Sequence, residues 1–406
     1  MPEDLYFSTK DEDMKKWVLP YIIITIISTV GAFAQANDLE LYEKPITAKI
    51  SSAVFDKDRD VKIYLPSAYK NTTVNYPVLY VLDGQRKELE TFVVSTTNYL
   101  VRYNTVPAFI IIVIPQVNRA VELNPAMSGN KIKGVSGVDG FLTYLNDVNL
   151  YMHKTYRAAN FNMLFGHSLG GTLATYSLLN EPGLFNAYLI ASPNYNINSG
   201  YIHKSLERFV KEKPEVIRSK FIYLTVGDQW QTENGFKAGD RKADSIFKSF
   251  SSQKYFFRDS KGYGHNTTPT IAFVDGMSQI FGEWWHKSPD LRDSISGKKG
   301  DPATLVNQYY KRLSNWYGYT IKPNEGDYQY YMGLPYLESK DYKTAEQYLS
   351  EGLKCYPNNA ELLAVYGDAL AGLNQPDKAK GIYRKALKIT SDQELIADIN
   401  KKLKAF

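Results

Sequence analysis

The sequence predicts an α/β fold: a doubly wound, mostly parallel sheet, followed by a small all-α domain. Three observations carry that prediction. Apolar runs without alternation recur along the first two thirds of the chain, as expected of strands buried on both faces. Segments with helical texture separate these runs, and strands alternating with helices imply parallel crossover units. After Trp285 the texture changes, and small residues begin to recur with a period of 34.

The elements follow in order. Ala48 to Phe55 and Val61 to Pro66 read as an early antiparallel pair of strands. The buried strands are then Pro77–Leu82, Ala108–Ile114, Asn162–Phe165, Tyr188–Ala191 and Phe221–Val226, with Lys254–Phe257 as the last. Turn residues follow them: Asp83-Gly84, Pro115, Gly166, Ser192-Pro193 and Gly227-Asp228. Ligands of such sheets bind outside the carboxyl ends of the strands, so these points mark the expected site. Helices are expected at Gly140–Lys154, Thr172–Leu179, His203–Lys211, Lys237–Ser249 and Pro269–Trp285. Residues 45–287 therefore form the sheet domain, and 288–325 a polar linker with a connecting helix around Thr304–Tyr317.

Residues 326–406 read as two tetratricopeptide-like repeats and a cap. Gly333 and Gly367, Ala345 and Ala379, Gly352 and Ala386, and Leu353 and Leu387 stand one period of 34 apart. Each unit is a helix pair, Tyr328–Ser339 with Lys343–Cys355, then Ala360–Leu373 with Pro376–Thr390, and Asp392–Lys404 caps the end. Two repeats are too few for a free solenoid, so the tail is expected to pack on the connecting helix or on the sheet domain.

The N-terminal stretch predicts export. Met14-Lys15-Lys16 is a positive n-region, Trp17 to Ala34 is mostly apolar, and Ala32-Phe33-Ala34 and Ala34-Gln35-Ala36 are cleavage-type triplets. Residues 14–36 thus read as a signal peptide whose translation starts at Met14, and its removal leaves no membrane anchor and a periplasmic or secreted chain. The 406 residues carry a net charge of +5 without a clustered basic stripe, which argues against nucleic acid as a partner. One cysteine, Cys355, excludes an internal disulfide and a multi-cysteine metal site.

The chemistry is carried by Gly166-His167-Ser168-Leu169-Gly170. Strand, G-x-S-x-G, helix is the nucleophile elbow of an α/β-hydrolase. A strained turn exposes the Ser168 hydroxyl and aims the N–H of Leu169 at a developing oxyanion. The chain order nucleophile, acid, base leaves His265 among the five histidines. His167 lies within the elbow and is expected to point away from the serine. His153 and His203 precede the places the order requires, and His286 sits on the last helix. Three acids follow the strand Phe221–Val226: Asp228, Glu233 and Asp240. Glu233 is preferred because it lies far enough along the loop to reach His265. Asp228, which suits a turn, and a Ser-His dyad without an acid stay open. A second oxyanion donor is expected from the N–H of Gln85, in the Asp83-Gly84-Gln85-Arg86 loop.

These pieces resemble the putative esterase (esterase D-like) family, which includes enterochelin and other siderophore esterases, S-formylglutathione hydrolase, feruloyl esterases and mycolyltransferases. The matching segments are Tyr64-Leu65-Pro66, Leu79 to Gly84, Asn118 to Pro125, Gly166 to Gly171, Leu184 to Tyr188 with Ser192-Pro193, and Tyr263-Gly264-His265. The resemblance implies Ser168 as nucleophile, His265 as base and oxyanion donors from Leu169 and Gln85. Members with this layout often carry Gly-x-x-Glu at the acid, and here Trp230 stands at the glycine position, three residues before Glu233.

The expected activity is carboxylic-ester hydrolysis without metal or cofactor, on a small-molecule or polysaccharide-linked ester. A siderophore lactone or a feruloyl or acetyl ester leads. S-formylglutathione is disfavoured because it is a cytosolic substrate. Two rival readings use the same residues differently: an inactive scaffold whose repeats hold a protein partner, and an acyltransferase.

Overall fold

The computed structural model describes residues 42–406 apart from 56, 129–130, 133–134, 251, 286–287 and 298. The signal-peptide reading of 14–36 and the place of His286 lie outside the described residues. An eight-stranded sheet forms the centre, in the order β1-β2-β4-β3-β7-β8-β9-β10. Its strands are β1 (Ile46–Ile50), β2 (Arg59–Tyr64), β3 (Tyr76–Val81), β4 (Ile110–Val113), β7 (Ala158–His167), β8 (Ala187–Ala191), β9 (Phe221–Gln229) and β10 (Tyr255–Gly264). A short hairpin, β5 (Lys131–Ile132) with β6 (Val135–Ser136), stands apart. β1–β2 and β2–β4 pair antiparallel, and every later pair is parallel. The apolar runs are the reason: β3, β4 and β8 are buried at every position, as strands covered on both faces must be.

The covering helices are α1 (Lys87–Arg102), α2 (Arg119–Glu122), α3 (Val138–Thr155), α4 (Leu169–Asn180), α5 (Tyr201–Glu212), α6 (Pro214–Ser219), α7 (Trp230–Ser249) and α8 (Thr268–Ile280). Two boundaries differ from the sequence reading in a way that bears on the site. Helix α7 begins at Trp230, not Lys237, so Glu233 lies in a helical first turn rather than a loop. Strand β10 runs on to Gly264, directly before His265, through an irregularity between Ser260 and Gly264. The expected Pro269–Trp285 helix is also broken at Phe281, after which α9 covers Gly282–Trp285.

The stretch read as a polar linker contains a helix, α10 (Ser288–Ser296). The connecting helix α11 (Pro302–Tyr317) is capped by Asp301, whose side chain accepts from the Thr304 N–H, and closed by Gly318 at φ 77°. Its Tyr317 ring stacks between Phe221 at the start of β9 and Phe281, with centroids 5.4 and 5.2 Å away. The tail follows as α12 (Glu325–Tyr330), α13 (Leu334–Glu338), α14 (Tyr342–Cys355), α15 (Ala360–Gly372), α16 (Pro376–Leu387) and α17 (Gln393–Lys404). The first helix of the first expected pair is thus split in two.

The period of 34 has a packing cause. A Cβ on Gly333 would sit 2.5 Å from Leu349 Cδ2, and one on Gly367 would sit 2.6 Å from Tyr383 Cε1. The two contacts are one period apart on both sides, so each repeat needs a bare backbone where its helices cross. The tail is tied to the rest of the chain. The Thr73 N–H donates to the Cys355 carbonyl at 2.9 Å, and the Tyr310 hydroxyl donates to Asp327 at 2.5 Å. No helix among the described residues is long and apolar enough to cross a membrane.

Candidate active site

Ser168 sits between β7 and α4 at φ 59° and ψ −120°. That backbone is strained for any residue with a Cβ, and it persists because the surroundings dictate it. The flanking glycines are the means. A Cβ on Gly166 would lie 2.2 Å from the Gly170 carbonyl oxygen, and one on Gly171 would lie 3.2 Å from that of Ala191. The Ser168 N–H donates to the Ala191 carbonyl at 2.9 Å, tying the elbow to β8. Leu169 opens α4, and the first N–H groups of a helix have no acceptor within it.

Asp83, Gly84, Gln85 and Arg86 form a turn after β3, closed by Arg86 N–H to the Asp83 carbonyl at 2.8 Å. Such a turn does not use the N–H of its third residue, Gln85. Asp83 is buried at φ 60° and paired with Arg119, Nε to Oδ1 at 2.5 Å. Arg119 also donates to the His167 carbonyl at 3.0 Å, which links this turn to the elbow. Gln116 N–H donates to Gln85 Oε1 at 3.0 Å, and the Asp83 N–H donates to Gln116 Oε1 at 2.8 Å.

His265 and Glu233 come together. His265 Nδ1 lies 2.7 Å from Glu233 Oε1, with the Glu233 side chain 0% exposed and the imidazole 22% exposed. Glu233 also accepts from the Gly227 N–H at 2.7 Å and from the Ser192 hydroxyl. A Cβ on Gly227 would lie 2.2 Å from the Tyr263 carbonyl oxygen and 3.1 Å from Glu233 Cδ, so the close approach of β9, β10 and α7 needs glycine there. Asp228 is placed elsewhere. It accepts from Gln229 Nε2 at 2.9 Å and from the Gly262 N–H at 2.7 Å, and these bonds, the first foremost, hold its carboxyl below the usual range. Its work is to pin the turn of β10. Asp240 is buried near Glu233, and neither of its carboxyl oxygens meets a hydrogen-bond partner among the described residues.

His167 packs against the candidate base. Its buried ring lies 4.5 Å from that of His265, centroid to centroid. Burial first, then the nearby His265, Arg86 and Arg119, push it well below its ordinary value, so it is neutral near pH 7. Phe236, one turn after Glu233, also meets His265 edge-on at 5.4 Å. His265 and Glu233 thus pair beyond the carboxyl ends of β9 and β10, and His265 packs on the ring of His167, the residue before Ser168.

The sequence profile of the "Putative esterase" family matches residues 52–311. The chain belongs to the putative esterase family. A tetratricopeptide-repeat profile matches residues 336–403. Among curated proteins, the chain is 26% identical over 175 residues to the ferri-bacillibactin esterase BesA of Bacillus subtilis, a match over 38% of this chain and 60% of that protein. It is 35% identical over 78 residues to a siderophore enterobactin esterase of Emericella nidulans, over 18% of this chain and 26% of that one. The matches therefore span less than two thirds of these relatives. Among solved structures, an uncharacterised protein of Capnocytophaga ochracea superposes with a TM-score of 0.58 at 16% identity, covering 89% of this chain and 99% of that one. An IroE-like serine hydrolase of Shewanella oneidensis superposes at 0.56 with 19% identity, covering 84% and 98%. These two likenesses show that the family's fold is shared.

Within this esterase fold, sequence reasoning missed Ser192, Arg119, Gln116 and Phe236. Ser192 and Arg119 lie in segments that carry the family resemblance, but nothing local marks them. Ser192 is held at φ 46° and fully buried by contacts with β9 and α7, which only the folded chain supplies.

Proposed function

We propose that the protein is an exported serine carboxylic-ester hydrolase that works through Ser168, His265 and Glu233. The observation that carries this reading is the His265–Glu233 pair packed on His167, the residue before a serine held on a strained elbow. His265 Nε2 takes the proton of Ser168 as its oxygen attacks the ester carbonyl. Glu233 holds Nδ1, fixing the tautomer and the ring, and stabilises the imidazolium that forms. The N–H groups of Leu169 and Gln85 receive the oxyanion. Collapse of the tetrahedral intermediate expels the alcohol, protonated by His265. Water, deprotonated by His265, then attacks the acyl-enzyme, and the carboxylic acid leaves with Ser168 restored.

Family membership supports ester cleavage, and the two relatives named as siderophore esterases support a siderophore lactone as substrate. A feruloyl or acetyl ester remains the competing choice. The A-x-A triplets after the apolar N-terminal run support export, and the repeats support a protein partner for the tail. The test is ester hydrolysis by the purified protein beside Ser168→Ala, with mass spectrometry of the wild type quenched on a slow ester. An acyl adduct on Ser168, and a loss of at least about a thousandfold in kcat for the variant, are expected. Turnover that survives Ser168→Ala would overturn the assignment.

A further inference from the structure

Trp230 has an unusual position. It is the first residue of α7, at φ 73°, a left-handed backbone that favours glycine. It is also 80% exposed, so the fold gains little from burying it. The Cδ1–Nε1 edge of its indole rests on Gly264, where a Cβ would lie 3.1 Å from Cδ1 and 3.3 Å from Nε1. Gly264 directly precedes His265 and pairs with Gln229 across β10 and β9. A bare backbone beside the base therefore seats a large aromatic side chain that is strained at its own backbone and open to solvent. Strain of this kind, where a glycine would fit, points to a use for the side chain.

Phe236 adds to the case. It lies on the same helix and meets His265 edge-on, while Trp230 rests on Gly264, the residue before that base. We propose that Trp230 is a specificity-determining residue: its exposed indole face stacks on a planar aromatic ring of the ester, favouring aryl-bearing esters over acetyl esters. This rests on the hydrolase reading above. An offset aromatic stack contributes up to about a tenfold preference. An acetyl group offers no ring and gains nothing from the platform.

The experiment compares methyl hydroxycinnamate with methyl acetate as substrates of the full-length protein, Trp230→Gly and Trp230→Phe. Fluorophosphonate labelling of each protein reports separately on Ser168. The expected result is an aryl-over-acetyl ratio of kcat/KM that falls about tenfold in Trp230→Gly, mostly through KM, and recovers to within about threefold of wild type in Trp230→Phe. A ratio unchanged in Trp230→Gly, or a labelled wild type that does not prefer the aryl ester, would overturn the platform and leave the nucleophile standing. A wild type that is folded but unlabelled would overturn the hydrolase reading itself, and the platform with it.

Discussion

Glu233 and Asp240 occupy the first three turns of the same helix, and their situations are opposite. Glu233 accepts from a backbone N–H, a serine hydroxyl and an imidazole. Asp240 is equally buried with no partner among the described residues, and burial followed by the charge of Glu233 raises it well above 3.8. A carboxyl raised on folding favours the protonated native state. Its favourable contribution is complete below the unfolded value, near pH 4, and is lost as pH rises through the folded value. Above both values, each unit of elevation costs about 1.4 kcal/mol. Asp240→Asn keeps the shape and removes that cost. The variant is expected to melt higher than wild type at pH 8, with the gap closing toward pH 4. A gap independent of pH in thermal melts would contradict this. At this scale Ser168 and His265 were legible from motif and chain order. Glu233 is preferred over Asp228 in the sequence only for its reach, and the helical turn that carries it to His265 depends on where α7 begins. Thr232, Asn234, Gly235 and Gly239 are weak helix formers, so the sequence hides that first turn.

The elbow is a property of two elements rather than of one serine. β7 and α4 approach so closely that Gly166 has no room for a Cβ, with the Gly170 carbonyl oxygen 2.2 Å from where it would lie. Backbone cannot yield as a flexible side chain can. Gly166→Ala is therefore expected to shift the Ser168 backbone and lower kcat by roughly a hundredfold or more, the usual cost of an ångström of misplacement. Steady-state kinetics on a simple ester would check this, and activity within a few-fold of wild type would show that the crossing can open. The strands were readable because two-face burial demands continuous apolar runs. Helix α1 is not legible in the sequence, because Phe92-Val93-Val94 and Thr96-Thr97 interrupt its helical texture with strand formers. Helix α10 is hidden in the sequence because its polar composition masks the Ser288-Pro289-Asp290 start signal.

Across the whole molecule, the tail and the site lie at opposite ends of the sheet. Thr73, Phe161 and Phe221, which meet the tail or its connecting segment, lie before or near the start of β3, β7 and β9. Asp83, Ser168 and Glu233 follow the ends of the same strands. A cavity of about 860 Å³ separates tail and sheet base, lined in part by Tyr76, Trp284, Tyr319, Cys355 and Tyr356. Tyr328 is buried against Gly352, whose Cβ would meet its Cγ at 2.8 Å. Tyr328→Ala is expected to cost the tail about 3–5 kcal/mol and to speed alkylation of half-buried Cys355. Ester turnover should stay within about threefold, because the ends are separate. A parallel fall in turnover would show that the tail supports the site.

The most direct test of the account is the rate of fluorophosphonate labelling in wild type, Ser168→Ala, His265→Ala, Glu233→Gln and Asp228→Asn. Ser168→Ala is expected not to label, and labelling is expected to slow by roughly a hundredfold or more in His265→Ala and Glu233→Gln. Asp228→Asn should label at close to the wild-type rate. A wild type that is well folded yet unlabelled, or Asp228→Asn as slow as Glu233→Gln, would contradict it.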